Sequence, residues 1–260
     1  EELESRLFET TNKEPALDKI RSIITSDYQV DTSGRFIVVS LKSKAYAATD
    51  VEAVKNRLEQ AYLFYLRHYN LQPSDKLFTV YLVPNNAELQ RLAGLIHGIR
   101  LPSNSLGYSC LNDLSLIGIA KPNSVGTLYH ELFHLTKRRE VGDVPPWLDE
   151  GVACMYSVYN LKENEIVGAK NTWRVSHFKL LSQLRQNKVT FPSLQQLISM
   201  SWSEFEGGSN KNMCRASVHY AMSNMFLLYL QEIAKVKDMI AAYKERLQTR
   251  KDTLGVGHDN

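Results

Sequence analysis

His130, Glu131 and His134, in the stretch TLYHELFHL (Thr127 to Leu135), are the residues whose types and spacing point most directly to chemistry. On a helix, residues four apart lie one turn above each other on one face, so both imidazoles can reach one ion. Neutral imidazole nitrogens suit zinc, and a catalytic zinc site takes three protein ligands and leaves a fourth position for water. Glu131, one residue round from His130, sits beside such an ion and in reach of that water. This is the H-E-x-x-H arrangement, with the glutamate as general base. A five-residue pattern with three fixed positions arises by chance in roughly one chain in a hundred of this length. The surroundings favour a site: Leu128, Leu132 and Leu135 form an apolar stripe that buries the helix and leaves the histidines at its edge. The competing reading is a pair of structural histidines.

The stretch PPWLDEGVACMY (Pro145 to Tyr156) offers a third ligand. Pro146 suits the first helical position, Trp147 and Leu148 can anchor the start of the helix, and Glu150 is expected in the first turn, pointing back toward the preceding helix. The expected set is His130, His134 and Glu150 on one Zn2+ per chain. Asp149 cannot share Glu150's direction. It suits either an acceptor for a ligand imidazole N–H or an acidic residue favouring a helix N-terminus.

The elements that must position these residues change character near the middle of the chain. GRFIVVSL (Gly34 to Leu41) and KLFTVYLV (Lys76 to Val83) are rich in β-branched and aromatic residues and bounded by turn formers, which predicts strands. Between them, Val51, Val54, Leu58, Ala61, Tyr62 and Tyr65 recur at helical spacing after a Thr49 or Asp50 cap. NNAELQRLAGLI reads as a second helix, and SLGYSC and LSLIGIA as short strands. From Ser124 onward nearly everything reads as helix: Val125 to Arg138, Pro146 to Tyr159, Thr172 to Gln186, Ser193 to Ser199, Arg215 to Ile233 and Val236 to Gln248. The expected class is α+β, with a mixed α/β lobe over residues 1–140 that ends in the motif helix and a helical lobe over residues 141–260.

HELFH followed by WLDEG resembles the gluzincin metallopeptidases, the group that includes thermolysin-like and aminopeptidase N-like enzymes, and especially the small peptidase MA-like members. The likeness is strongest from Leu106 to Tyr156. It implies a zincin-like fold, zinc ligation by His130, His134 and Glu150, and general-base catalysis by Glu131. It also implies that the strand before the motif helix, LSLIGIA (Leu114 to Ala120), lies at the cleft edge and pairs with substrate backbone. The family's oxyanion donor is a tyrosine or histidine from the helical lobe, and CRASVHYAMSNMFLLYL carries His219 and Tyr220 side by side. Tyr220 is the preferred donor, with His219 as the alternative and core packing as the structural reading of Tyr220.

Two departures limit what the resemblance carries. The stretch with which aminopeptidase N-like enzymes hold a substrate amino terminus is missing, since the corresponding region reads LGYSCLNDLSL, and an endopeptidase is expected over an exopeptidase. The thermolysin-like subgroup has an aspartate four residues after its glutamate ligand, where this chain has Cys154.

The remaining sequence narrows the class. With 43% hydrophobic, 23% charged and 10% aromatic residues, the 260-residue chain has the composition of an ordinary globular protein. A net charge of +3 from 31 basic and 28 acidic side chains does not indicate nucleic-acid binding. The one basic run, Lys137, Arg138 and Arg139, is expected to complement a helix dipole. No stretch approaches the roughly 18 apolar residues of a membrane helix. The polar start EELESRLFETTNKEPALDK, without an initiator methionine, looks like a trimmed mature form and favours an extracytoplasmic or secreted setting. Cys110, Cys154 and Cys214 show no CxxC spacing and signal neither a disulfide framework nor a cysteine zinc site; one bridge plus one free thiol is the alternative. His68, His97, His177 and His258 have no ligand-spaced partner, and surface or capping roles are expected. SEFEGGSNKN (Ser203 to Asn212), a glycine-rich loop ahead of Tyr220, reads as a solvated connector, with a mobile lid as the alternative.

The function expected is zinc-dependent hydrolysis of a peptide or protein substrate, with Glu131 and Tyr220 as the catalytic side chains. Two alternatives stand beside it: a metal-binding sensor or interaction protein without turnover, and a zinc hydrolase of a non-peptide amide.

Overall fold

The computed structural model describes residues 13–253 apart from 43–45, 122–123, 163–164, 184–190 and 210–211. The described residues are mixed α and β, 58% helix and 16% strand, on a mixed sheet, consistent with the α+β class. Two compact units divide it, Glu1–Thr136 and Lys137–Asn260, and the division falls inside one continuous helix.

In the first unit, α1 (Glu14–Ile23), β1 (Tyr28–Asp31), β2 (Phe36–Leu41), α2 (Ala48–Tyr69), β3 (Phe78–Val83), α3 (Asn86–His97), β4 (Gly107–Cys110) and β5 (Ser115–Ile119) lead to the motif helix α4 (Gly126–Val141). The sheet runs β1-β2-β3-β5-β4, with β2, β3 and β5 parallel and the outer strands β1 and β4 antiparallel to their neighbours. FIVVSL and FTVYLV are buried almost end to end, as central parallel strands covered on both faces must be. One face carries Ile37, Val39, Tyr81, Val83 and Ile117 against Ile20 of α1 and Leu89 and Leu92 of α3. On the other, the rings of Phe36 and Phe78, 5.7 Å apart, meet Tyr62 of α2, 5.4 Å from Phe78.

The strand order corrects one expectation. LSLIGIA forms β5, which is paired on both sides, with β3 and with β4. It therefore has no free edge for a substrate backbone. The outer strand on that side is β4, GYSC, which forms within the stretch SLGYSC expected as a strand.

Two glycines set the height of α4 above this end of the sheet. Gly107 and Gly118 face each other across β4 and β5. A Cβ on Gly107 would come within 2.7 Å of Thr127 Cγ2, and one on Gly118 within 2.7 Å of Leu128 Cδ2. On its other side α4 is held by α2. The Phe133 ring lies 5.5 Å from Tyr65 and 5.8 Å from Tyr69. The Tyr65 hydroxyl donates to the Tyr129 carbonyl at 3.2 Å, and the Tyr129 hydroxyl to the Arg57 carbonyl at 3.0 Å. With Leu128, Leu132 and Leu135 buried, the helix can present only one edge to solvent.

The second unit comprises α5 (Pro146–Ser157), β6 (Tyr159–Lys162), β7 (Glu165–Gly168), α6 (Thr172–Gln183), α7 (Leu194–Ser199), α8 (Trp202–Phe205), α9 (Met213–Glu232) and α10 (Val236–Thr253). The β6–β7 hairpin breaks the expectation of continuous helix. It is pinned from a distance: the Gln231 side chain accepts from Gly168 N at 2.9 Å and donates to Gly168 O at 3.0 Å. Helices α5 and α9 pack closely, because Gly151 leaves a gap that a Cβ would close to 2.6 Å from Leu227 Cδ2. The expected helix over Thr172 to Gln186 is described as far as Gln183, and residues 184–186 lie outside the described residues, as do His258 and part of the Ser203 to Asn212 connector. No helix among the described residues is long and apolar enough to cross a membrane.

Candidate metal centre

His130 and His134 stand on the exposed edge of α4, half-buried, with their Nε2 atoms 3.1 Å apart. In a tetrahedral zinc shell with bonds of roughly 2.05 Å, two ligand nitrogens are about 3.3 Å apart. The imidazoles are thus already turned toward a common point at near the ligand spacing. Glu131 is buried, and its Oε2 accepts a hydrogen bond from Ser109 Oγ at 3.0 Å. Ser109 belongs to β4, whose alternation sends Gly107 and Ser109 toward α4. Sequence reasoning missed Ser109, since nothing in the chain's local pattern aims β4 at Glu131.

In the second unit, every residue from Pro146 to Tyr156 is buried. Asp149 is the acidic residue of the first turn of α5, so Glu150 begins the second turn and not the first as expected. Asp149 Oδ2 accepts from Lys137 Nζ at 2.7 Å, and Lys137 also donates to the Gly142 carbonyl at 3.2 Å. Lys137 is only 1% exposed, while Arg138 and Arg139 of the same basic run lie in the last turn of α4, where cations complement the helix dipole. The pair clamps the last turns of α4 to the start of α5, one residue before Glu150.

The two candidate oxyanion donors have different surroundings. Burial, and after it the nearby Glu150 carboxylate, pushes the Tyr220 phenol well above its usual range, so it keeps its proton. Its ring packs edge-on to Phe205 at 5.0 Å and lies under the Arg174 guanidinium at 4.9 Å. His219 is buried, and its Nδ1–H donates to the Phe205 carbonyl at 2.8 Å. Burial lowers its pKa, which keeps the ring neutral. His219 is therefore a packed residue with one nitrogen committed to backbone. Cys154, in the place of the subgroup's aspartate, is buried, and Arg174 Nη2 lies 3.5 Å from its Sγ.

Of the expected ligands, His130 and His134 lie in the first unit and Glu150 in the second. Within the first unit, His97, Cys110 and Asp113 form a further group of side chains that could hold a metal ion. His97, expected in a surface or capping role because no partner stands at ligand spacing in the sequence, gains these neighbours through the fold. His97 Nε2 is 3.0 Å from Asp113 Oδ2 and its Nδ1 is 2.6 Å from the Tyr108 hydroxyl. Burial opposes ionisation of Asp113, but hydrogen bonds from Lys19, Ser115 and His97 outweigh it and hold the carboxyl well below its usual range. His68 instead stacks on Phe64 at 4.9 Å. Cys110, Cys154 and Cys214 are all free thiols.

Compared with models of known protein families and with curated proteins, the chain finds no match.

Proposed function

We propose that this protein is a zinc-dependent metallopeptidase of gluzincin type with a zincin-like fold, in which His130, His134 and Glu150 hold one zinc ion and peptide or protein chains are cut internally. The observation that carries the reading is the 3.1 Å approach of the two Nε2 atoms on the helix that also carries Glu131, its carboxylate oriented by Ser109. Two imidazoles and a carboxylate are a donor set that suits zinc and leaves room for a fourth ligand.

When bound, zinc supplies Lewis acidity, polarising the scissile carbonyl and acidifying water. The residues do the rest. Glu131 takes a proton from the attacking water and delivers it to the departing amine, a task that needs a carboxylate held in one orientation. Ser109 supplies that hold. Tyr220, protonated and fixed between Phe205 and Arg174, donates to the oxygen on which negative charge develops. The Lys137–Asp149 pair keeps the first turns of α5, and with them Glu150, fixed against the end of α4.

Zinc analysis of the purified full chain tests the ligand set. The wild type is expected to retain one tightly held equivalent, and His130→Ala and Glu150→Ala to lose it. Retention of that equivalent by either variant when Cys110→Ser is also present removes the residue from the set, since Cys110 belongs to a separate group of possible ligands.

A further inference from the structure

The edge strand β4 has two faces. Ser109 points to Glu131 on one, and Tyr108 and Cys110 point the other way, toward the C-terminal end of α3. There His97, Cys110 and Asp113 each offer one ligand atom, all within 4.8 Å of one another.

We propose that His97, Cys110 and Asp113 form a second metal site, for a zinc-class divalent ion, and that the Lys19 ammonium competes with the ion for Asp113. An imidazole, a thiolate and a carboxylate are a donor set of the borderline softness that zinc prefers. His97 Nε2 and Asp113 Oδ2, 3.0 Å apart, are already near the ligand separation of a tetrahedral shell, about 3.3 Å.

Each of these two ligands is braced from behind, as metal ligands typically are. With Nε2–H donating to Asp113, Nδ1 accepts from the Tyr108 hydroxyl at 2.6 Å; ion binding would release the Nε2 lone pair to the metal and leave the proton on Nδ1, donating to the Tyr108 oxygen. Ser115 Oγ donates to Asp113 Oδ1 at 2.6 Å, and Ser115 N to the same oxygen at 3.2 Å, leaving Oδ2 for the ion. The three residues hang on fixed backbone, the Gly98-capped end of α3 and the tight turn between β4 and β5, where Leu114 has φ 50°. All three are half-buried, so water can complete the shell.

Lys19 Nζ donates to the same Oδ2. Its side chain is 42% exposed and can swing into solvent, so ion binding exchanges one cation for another on that oxygen. The Cys110 thiol gives up its proton to solvent as the sulfur becomes a ligand. Because Cys110 directly follows Ser109, an ion here also fastens the strand whose other face orients Glu131.

Cobalt(II) titration of the full, reduced chain tests this. Only a thiolate ligand produces the near-ultraviolet sulfur-to-cobalt charge-transfer band, so His130, His134 and Glu150 are silent in it. With the His130 and His134 site kept filled by zinc, the wild type is expected to develop the band with one equivalent of cobalt. Cys110→Ser should abolish it, and His97→Ala should weaken binding about tenfold or more. Lys19→Met, on an exposed side chain, should tighten it by about tenfold, and His130→Ala should leave the band intact. Circular dichroism checks that each variant is folded, and Lys19→Met gives the answer even if His97→Ala unfolds. No band from wild type or Lys19→Met at millimolar cobalt overturns the proposal, as does a band that persists in Cys110→Ser.

Discussion

Lys137 Nζ lies 2.7 Å from Asp149 Oδ2, in an ion pair whose side chains are 1% and 7% exposed. Such a pair contributes little over an apolar replacement of both partners, but removing one partner strands a buried charge. Lys137→Met should therefore cost about 3 to 5 kcal/mol of stability. Chemical denaturation checks this, and Lys137→Met combined with Asp149→Leu should recover much of the loss. A single variant as stable as the wild type would show that the pair is solvated in solution.

Ser109→Ala removes the hydrogen bond that orients Glu131. A hydrogen bond to a charged group contributes roughly 1.5 to 3 kcal/mol, so kcat should fall about 10- to 100-fold with KM and zinc content little changed. An unchanged kcat on any substrate that the wild type cuts would separate Ser109 from the chemistry.

This contact shows where legibility ended. The helix under the H-E-x-x-H spacing, its apolar stripe and the long helix α2 rest on local patterns, and each formed where the periodicity placed it. Ser109, His97 and Lys137 gained their partners through strand order and helix packing, which no spacing along the chain encodes. Strand β1, YQVD, and the β6–β7 hairpin were equally hidden. Both are short, and β6 is exposed along most of its length, so neither carries the alternation that marks a half-buried strand. The edge role given to LSLIGIA failed for a related reason: its apolar run describes burial on both faces, which is a property of an interior strand.

Tyr220 and His219 can be told apart. Tyr220→Phe should lower kcat and kcat/KM together by ~100-fold or more, with zinc content unchanged, because a donor to the oxyanion acts in the transition state. His219→Ala should act on stability instead, since its imidazole is buried and bound to the Phe205 carbonyl. A small rate effect for Tyr220→Phe with a large one for His219→Ala would reverse these roles.

His219 also predicts a pH dependence. Its pKa is lowered in the fold from the ordinary 6.5, chiefly by burial, so the unfolded chain binds the proton more readily. The stability it contributes is fully present above pH 6.5 and is lost as pH falls below that value toward the folded pKa. Denaturation midpoints measured between pH 7.5 and pH 5 should fall for the wild type and fall less steeply for His219→Gln. Equal slopes would show that the imidazole titrates alike in both states.

The central claim is that Glu131 is the base of a peptide-bond hydrolase. Digestion of a diverse peptide library by the zinc-loaded full chain and by Glu131→Gln, compared at equal zinc content, tests it most directly. Glutamine keeps the size and hydrogen-bonding capacity of the side chain and loses its basicity. The account predicts internal cleavage by the wild type and loss of most turnover in the variant. A Glu131→Gln protein that cleaves as fast as the wild type, or a zinc-loaded wild type that cuts nothing, would contradict it.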